Sequence, residues 1–367
     1  MNIRLDSSFS EEKEIAAGYG DLSGEALDYL WTSSWVTDGI TPGSEKIDKD
    51  LARSIDALRF SCEKIFVVAG GCILSGIKGI LRSCDSTDNI ILLGDTLSPS
   101  VYGEILNSVE NRSIGLIGIS CKEEPVEQIA GFSIVREIIK KRCGTEEFAK
   151  KIVIITGKNA DFFPKTASEG AAQLRLLPAD IEEENALNTE AVIFPVAVSG
   201  ANTENFLRGF KAVLTNTMWD LDGDRYSILL ADITRTHGRA EDIIFWQNEF
   251  SETADWICGL HRKLGIDARA VYAPGQLDTI RQSAFQTHIF CNEENVDIMT
   301  PVFPGASIEG TLSQLVKEKQ ESFYRDSANK NKRFKISINR FDEENIGEMM
   351  AFFQISNGIS RYISENS

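Results

Sequence analysis

Histidine, proline and basic residues are scarce in this 367-residue chain, and long apolar runs are missing. The three histidines, His237, His261 and His288, have no i, i+4 pair among them. The seven cysteines, Cys62, Cys72, Cys84, Cys121, Cys143, Cys258 and Cys291, form no C-x-x-C pair and are odd in number. Neither a zinc site nor a disulfide framework is expected, and reduced cytosolic thiols are. Lys and Arg number 38 against 55 Asp and Glu, a net charge of −17. That deficit argues against phosphate-backbone binding, so no nucleic-acid partner is expected. It argues equally against docking on an anionic membrane. No run approaches the length that spans a bilayer. The first residues mix Arg4, Asp6, Glu11, Glu12 and Lys13, which is no secretory signal. A cytoplasmic protein is expected, with no cofactor and no metal.

What is present is ordinary globular composition, 42% hydrophobic and 25% charged, in a chain long enough for two domains. Leu51, Ile55 and Leu58 mark one face of a helix. Ile65 to Ala69 reads as a buried strand ending in Gly70-Gly71, followed by strands at 90–93, 114–119, 152–155 and 174–177. Val126 to Arg142 is a helix, with Lys140, Lys141 and Arg142 favouring its C-terminal dipole. Continuously apolar strands separated by helices indicate a parallel sheet covered on both faces. A second unit follows, with strands expected at Tyr226 to Ala231, Ala270 to Tyr272 and Phe334 to Ile338. Its helices are expected at Ala254 to Lys263 and Ile346 to Ile359, and Asp326 to Lys332 reads as a loop.

Several stretches carry a resemblance. GDTLSPSVYGEILNSVENRSIGLIGIS, NTEAVIFPVAVSGANTENFLRG, ADWICGL and FDEENIGEMMAFFQISNGISRYI resemble, in this order, segments of the phosphoglucose isomerase family. The similarity runs through most of residues 45–363. It implies two doubly wound α/β domains of the sugar-isomerase type, αβα sandwiches with short helical segments at each end. The expected division is a helical segment at 1–45, domains at 46–195 and 196–330, and a last strand and helix at 331–367. It further implies a sugar or sugar phosphate as ligand, and a homodimer, since the family builds each site from two subunits.

The family's chemistry needs a phosphate cradle, a ring-opening acid, a proton-shuttling carboxylate and a cation near the enediolate. The cradle, S-K-S-G-T-T in the family, corresponds here to Ser120-Cys121-Lys122-Glu123-Glu124-Pro125. Ser120 is kept, but carboxylates replace glycine and threonine, and like charge repels a phosphate. An acidic helix N-terminus is the plainer account of Glu123 and Glu124. The family's arginine-bearing turn matches Glu182 to Ala186, with Glu184 at the arginine position. Lys263 stands at the catalytic glutamate, with Glu249 and Glu252 nearby, and Ile280 at the ring-opening histidine, leaving His261 and His288 as spare candidates. Gly70, Gly71 and Cys72 resemble the family's first ligand turn, although close strand–helix packing also demands small residues. The family closes with a lysine-bearing helix, and the sequence ends at Ser367, so a C-terminally short member is expected.

Taken as a set, these replacements imply a glucose-6-phosphate isomerase-like protein that has lost efficient catalysis. It would serve in binding or regulation, or take a different small molecule. The alternative is an active aldose–ketose isomerase of glycolysis and gluconeogenesis with rewired residues.

Overall fold

A computed structural model describes residues 2–367 except 6–11, 42, 85–87, 123, 144, 169–171, 180, 216–220, 236–239, 282–283, 294–296, 301–309 and 327–332. His237, Glu123 and most of the loop expected after Asp326 thus lie outside the described residues. The chain divides into two units, Thr32–Lys211 and a split unit made of Met1–Trp31 and Ala212–Ser367. The first strand of the chain, β1 (Asn2–Leu5), belongs to the split unit.

The unit Thr32–Lys211 is built on β2 (Lys64–Val68), β3 (Ile90–Leu93), β4 (Ile114–Ser120), β5 (Ile152–Thr156) and β6 (Gln173–Leu176). Their spatial order is β3-β2-β4-β5-β6 and every pairing is parallel. Helices on both faces explain why the central strands lack a polar side. Phe66, Val68, Leu116 and Ile154 pack with Phe132, Val135 and Ile139 of the helix Val126–Arg142 and with Phe163. The helix Glu190–Ser199 is buried from Ala191 to Ser199, as a sequence with no polar face requires. Thr189 caps its start and Gly200, at φ +99°, its end.

The split unit carries β7 (Ala240–Phe245), β8 (Asp267–Tyr272), β9 (Phe285–Glu293) and β10 (Arg333–Arg340). These four are parallel, in the order β10-β9-β7-β8, and β1 joins antiparallel at the β10 edge. Residues 1–45 therefore hold a strand beside the expected helices, here Glu12–Leu30 and Ser34–Ile40. The expected helices near the C-terminus form as Ser251–Lys263 and Glu343–Asn366.

One expected strand is overturned. Tyr226 to Ala231 lies inside the helix Leu221–Arg235. Tyr226, Leu229, Leu230 and Ile233 are all buried, and their i, i+3, i+4, i+7 spacing is helical. The strands missed in its place are β7 and β9, whose sequences carry Glu241, Asp242, Gln286, Thr287 and His288, all buried. Polar residues in a central strand defeat a hydrophobicity pattern. They are tolerated because each charge is compensated. Asp242 accepts from Arg269 at 3.0 Å and Arg281 at 2.8 Å. Glu241 accepts from the Thr287 hydroxyl at 2.6 Å and lies 2.5 Å from His261 Nδ1. None of the described helices is long and apolar enough to cross a membrane.

Candidate functional site

In the unit Thr32–Lys211 the chain leaves β2, forms β3 on one side and then β4 on the other. The carboxyl ends of β2 and β4 thus flank a topological switch point, where a parallel sheet leaves its ligand crevice. Gly70, Gly71 and Cys72 follow β2 and open the helix Gly71–Arg82, and Ser120, Lys122 and Glu124 follow the last residues of β4. The fold therefore gathers these residues at one end of one sheet.

The turn after β2 requires glycine. Gly71 sits at φ +53°, and a Cβ there would lie 2.5 Å from Glu183 Oε2. A Cβ on Gly70 would lie 2.1 Å from Gln128 Nε2. Two side chains thus roof this turn: the Glu183 carboxylate, from the short 3-10 helix Glu183–Asn185, and the Gln128 amide, from the first turn of Val126–Arg142. Gln128 is only 3% exposed and its Oε1 has no hydrogen-bond partner among the described residues. Cys72 is buried and no cysteine forms a disulfide.

The turn after β4 is tied within the unit. Ser120 Oγ donates to the Lys122 carbonyl, and the Ser120 carbonyl accepts from Gly157 N–H at 2.8 Å. Lys122 pairs with Glu182. Glu124 turns toward β5 and accepts the N–H groups of Asp161, Phe162 and Phe163 at 3.3, 3.2 and 3.1 Å. It thereby caps the helix Phe162–Ser168, while the helix that follows it in sequence begins after Pro125. Glu184, expected from sequence at the family's arginine position, is 5% exposed beside Glu183.

The electrostatic result is specific. Helix N-termini at strand ends attract anions. Here the carboxylates of Glu183 and Glu124 lie at two of them, and the one lysine of the 120–125 turn is neutralised by Glu182. The polar groups that roof the crevice are thus acceptors, Gln128 Oε1 and the Glu183 carboxylate, and not cations. Among the described residues no group of His, Cys, Asp and Glu could hold a metal ion.

The remaining aligned positions belong to the split unit. Lys263 is the last residue of Ser251–Lys263 and is exposed, where a cation complements the helix dipole. Ile280 packs against the buried cluster of Ile244, Trp246, Val271 and Ala273. Glu252 lies in the first turn of the same helix as Lys263, and Glu249 in the 3-10 helix before it. His261 and His288 are both fully buried. His261 is held by Glu241, and its Nε2 has no partner among the described residues. His288 Nδ1 accepts from Trp246 Nε1 at 3.4 Å, and burial holds its pKa well below the ordinary value, with Arg333 and Lys335 adding to the effect.

One residue of the crevice was missed from sequence, Gln128. Gln128 had a usable signal. It begins the buried stripe Gln128, Gly131, Phe132, Val135, Ile139, so it is the polar member of an otherwise apolar face. Glu183 lies in the Glu182 to Ala186 turn singled out from sequence, but an acidic loop reads as solvated there until the backbone brings it over Gly71.

No protein-family model matches the chain. Glucose-6-phosphate isomerase of Mycoplasma capricolum subsp. capricolum is 20% identical over 405 aligned positions, covering 99% of this chain and 91% of that one. Among solved structures, a hypothetical protein from Thermus thermophilus superposes with TM-score 0.82 at 16% identity, covering 99% of this chain and 95% of that one. A glucose-6-phosphate isomerase from Chlamydia trachomatis superposes with TM-score 0.66 at 13% identity, over 86% of this chain and 68% of that one. The chain thus shares the fold of two parallel α/β units with these structures, and its sequence is similar along nearly its whole length, at about a fifth identity, to glucose-6-phosphate isomerases.

Proposed function

We propose that this chain is a glucose-6-phosphate isomerase relative without efficient isomerase activity, acting as a binding or regulatory protein for a sugar derivative. One observation carries the reading: the chain's own carboxylates, Glu183 over Gly71 and Glu124 on the helix Phe162–Ser168, occupy the helix N-termini beside the switch point. A phosphate entering there would meet like charge and an unpartnered amide oxygen at Gln128, and both favour a donor. The ligand class this supports is a neutral or amine-bearing sugar. The positions matching the family's glutamate, histidine and arginine, Lys263, Ile280 and Glu184, supply no carboxylate, imidazole or cation in those roles. A homodimer in the cytoplasm belongs to the same proposal, and light scattering tests the oligomeric part.

The second reading, an active isomerase with rewired residues, is favoured by a match to Mycoplasma isomerases that leaves little of either chain uncovered. A coupled assay converting glucose 6-phosphate to fructose 6-phosphate separates the two. No turnover above the buffer rate is expected. Turnover that disappears in Lys263→Ala overturns the proposal.

A further inference from the structure

The helix Leu312–Asp326 lies over the face of the split unit's sheet that carries His288, and it is held lightly. Its described side chains are half-buried at most, whereas Ser251–Lys263 and Glu343–Asn366 sink most of theirs into the core. Val316, Gln320, Phe323 and Tyr324, at the i, i+4, i+7, i+8 spacing of one helix face, form its inward side. Val316 and Phe323 cover the apolar cluster of Ile244, Trp246, Val271 and Ala273. Gln320 Nε2 is shut off from solvent with no hydrogen-bond partner among the described residues, which costs the closed position free energy.

His288 lies directly under this side. The Tyr324 and Phe323 rings stand over it, with centroids 5.3 and 5.7 Å from the imidazole. The same two rings carry cations. Arg333 Cζ lies 5.7 Å from the Phe323 centroid and 5.9 Å from that of Tyr324, and Lys335 Nζ lies 3.8 Å from the Tyr324 centroid. Lys335 is in register with His288 across β9 and β10, and Arg333 with Gln286. On the β7 side, the carboxylate of this sheet face is Asp242, in register with Gln286 and already bound to Arg269 and Arg281. The helix's own Lys317, Glu318, Lys319, Glu321 and Arg325 are exposed.

Nothing in this surrounding welcomes a charged imidazole. Trp246 Nε1 donates to Nδ1 at 3.4 Å, and Nε2 lies 3.3 Å from Gln286 Oε1, an arrangement that suits the neutral ring. A second proton would set N–H against N–H and add a third cation beneath Phe323 and Tyr324. Burial, with Arg333 and Lys335 adding to it, holds the His288 pKa well below its ordinary value. Lifting the helix is the short way to let water reach the ring, and a segment with few buried apolar contacts opens at less cost than the whole unit.

We propose that the helix Leu312–Asp326 is an acid-released strap: protonation of His288 frees it from the sheet and bares Trp246 and its apolar cluster, while the strands stay paired. Once open, His288 takes its proton with an ordinary pKa of about 6.5, so each pH unit below that favours the open form about tenfold. The device belongs to the split unit alone and stands whether or not the crevice of Thr32–Lys211 works as proposed above.

The test is hydrogen–deuterium exchange of the full chain between about pH 7.5 and about pH 5, corrected for the intrinsic pH dependence of amide exchange. Protection of the amides between Val316 and Arg325 falls about tenfold per pH unit below about 6.5, while β7 and β9 keep theirs. In His288→Asn, which still accepts from Trp246 and cannot titrate, the helix shows no such fall. If that variant fails to fold, His288→Gln is read in its place, and the wild-type contrast between helix and strands decides on its own. The proposal is overturned if helix protection in wild type is flat with pH, or if the strands lose protection in step with the helix. It is equally overturned if the variant shows the same fall as wild type.

Discussion

His288 gives the split unit an acid-sensitive core whose size follows from its hydrogen bonds. The ring is fully buried, its Nδ1 accepts from Trp246 Nε1, and its Nε2 lies 3.3 Å from Gln286 Oε1. An indole nitrogen only donates, so Nδ1 must carry no proton, and Nε2–H then donates to the glutamine oxygen. Both ring nitrogens are satisfied in the neutral form alone. A second proton would land on Nδ1 against the Trp246 N–H, with Arg333 and Lys335 close enough to oppose the charge. The folded pKa is therefore depressed below the unfolded one. At acid pH the unfolded chain binds more protons than the folded chain, so stability falls as pH falls. The full contribution is present above about pH 6.5, and about 1.4 kcal/mol is lost for each pH unit below it until the folded pKa is reached. Urea unfolding read by tryptophan fluorescence, from about pH 8 to about pH 5.5, measures this. Other carboxylates contribute their own slope, so the quantity is the difference between wild type and His288→Asn, which keeps an acceptor for Trp246 and cannot titrate. Above pH ~7 the difference is constant, and below ~6.5 it shrinks by the stated slope. Parallel curves over the whole range would refute the reasoning.

Four substitutions in the Thr32–Lys211 unit test its construction by thermal or urea unfolding. Gly94→Ala places a Cβ 2.1 Å from the Ala69 carbonyl oxygen at φ +117°, whereas Gly43→Ala at φ +87° meets nothing within 4 Å. The first should cost about 2–4 kcal/mol and the second about 1, and equal costs would contradict the close approach at Gly94. Glu124→Ala removes the acceptor of three helix N–H groups and should cost about 1–2 kcal/mol, whereas a merely solvated Glu124 predicts no change. Lys122→Ala breaks an ion pair whose partners are 51% and 38% exposed, so its effect should stay within about 0.5 kcal/mol, and a larger loss would mean that the pair is better shielded.

The sheet of Thr32–Lys211 is legible in the sequence because its strands are apolar without interruption, from Ile65-Phe66-Val67-Val68 to Ile152-Val153-Ile154-Ile155. The split unit hides two of its strands for the opposite reason. β7 and β9 carry charges and hydroxyls whose compensation by Arg269, Arg281, His261 and one another exists only in three dimensions. Tyr226 to Ala231 shows the reverse error, a short apolar run that suits either period until its neighbours decide. At the crevice, Gly70, Gly71 and the turn after Ser120 could be placed from strand ends alone. The roof could not, because Glu183 and Gln128 meet those glycines across long sequence separations. Glu124 was expected to favour the helix next to it in sequence. It serves the helix after β5 instead, a choice fixed by backbone geometry.

In the reading proposed above, the chain's own carboxylates fill the anion seat at the switch point of Thr32–Lys211. Amide NMR of Gly70, Gly71 and Cys72 during titration with glucose 6-phosphate, in wild type and Glu183→Ala, tests it most directly. These three amides should stay put in wild type at millimolar ligand and shift in Glu183→Ala, where the seat is vacated. Shifts of the same size in wild type would contradict it.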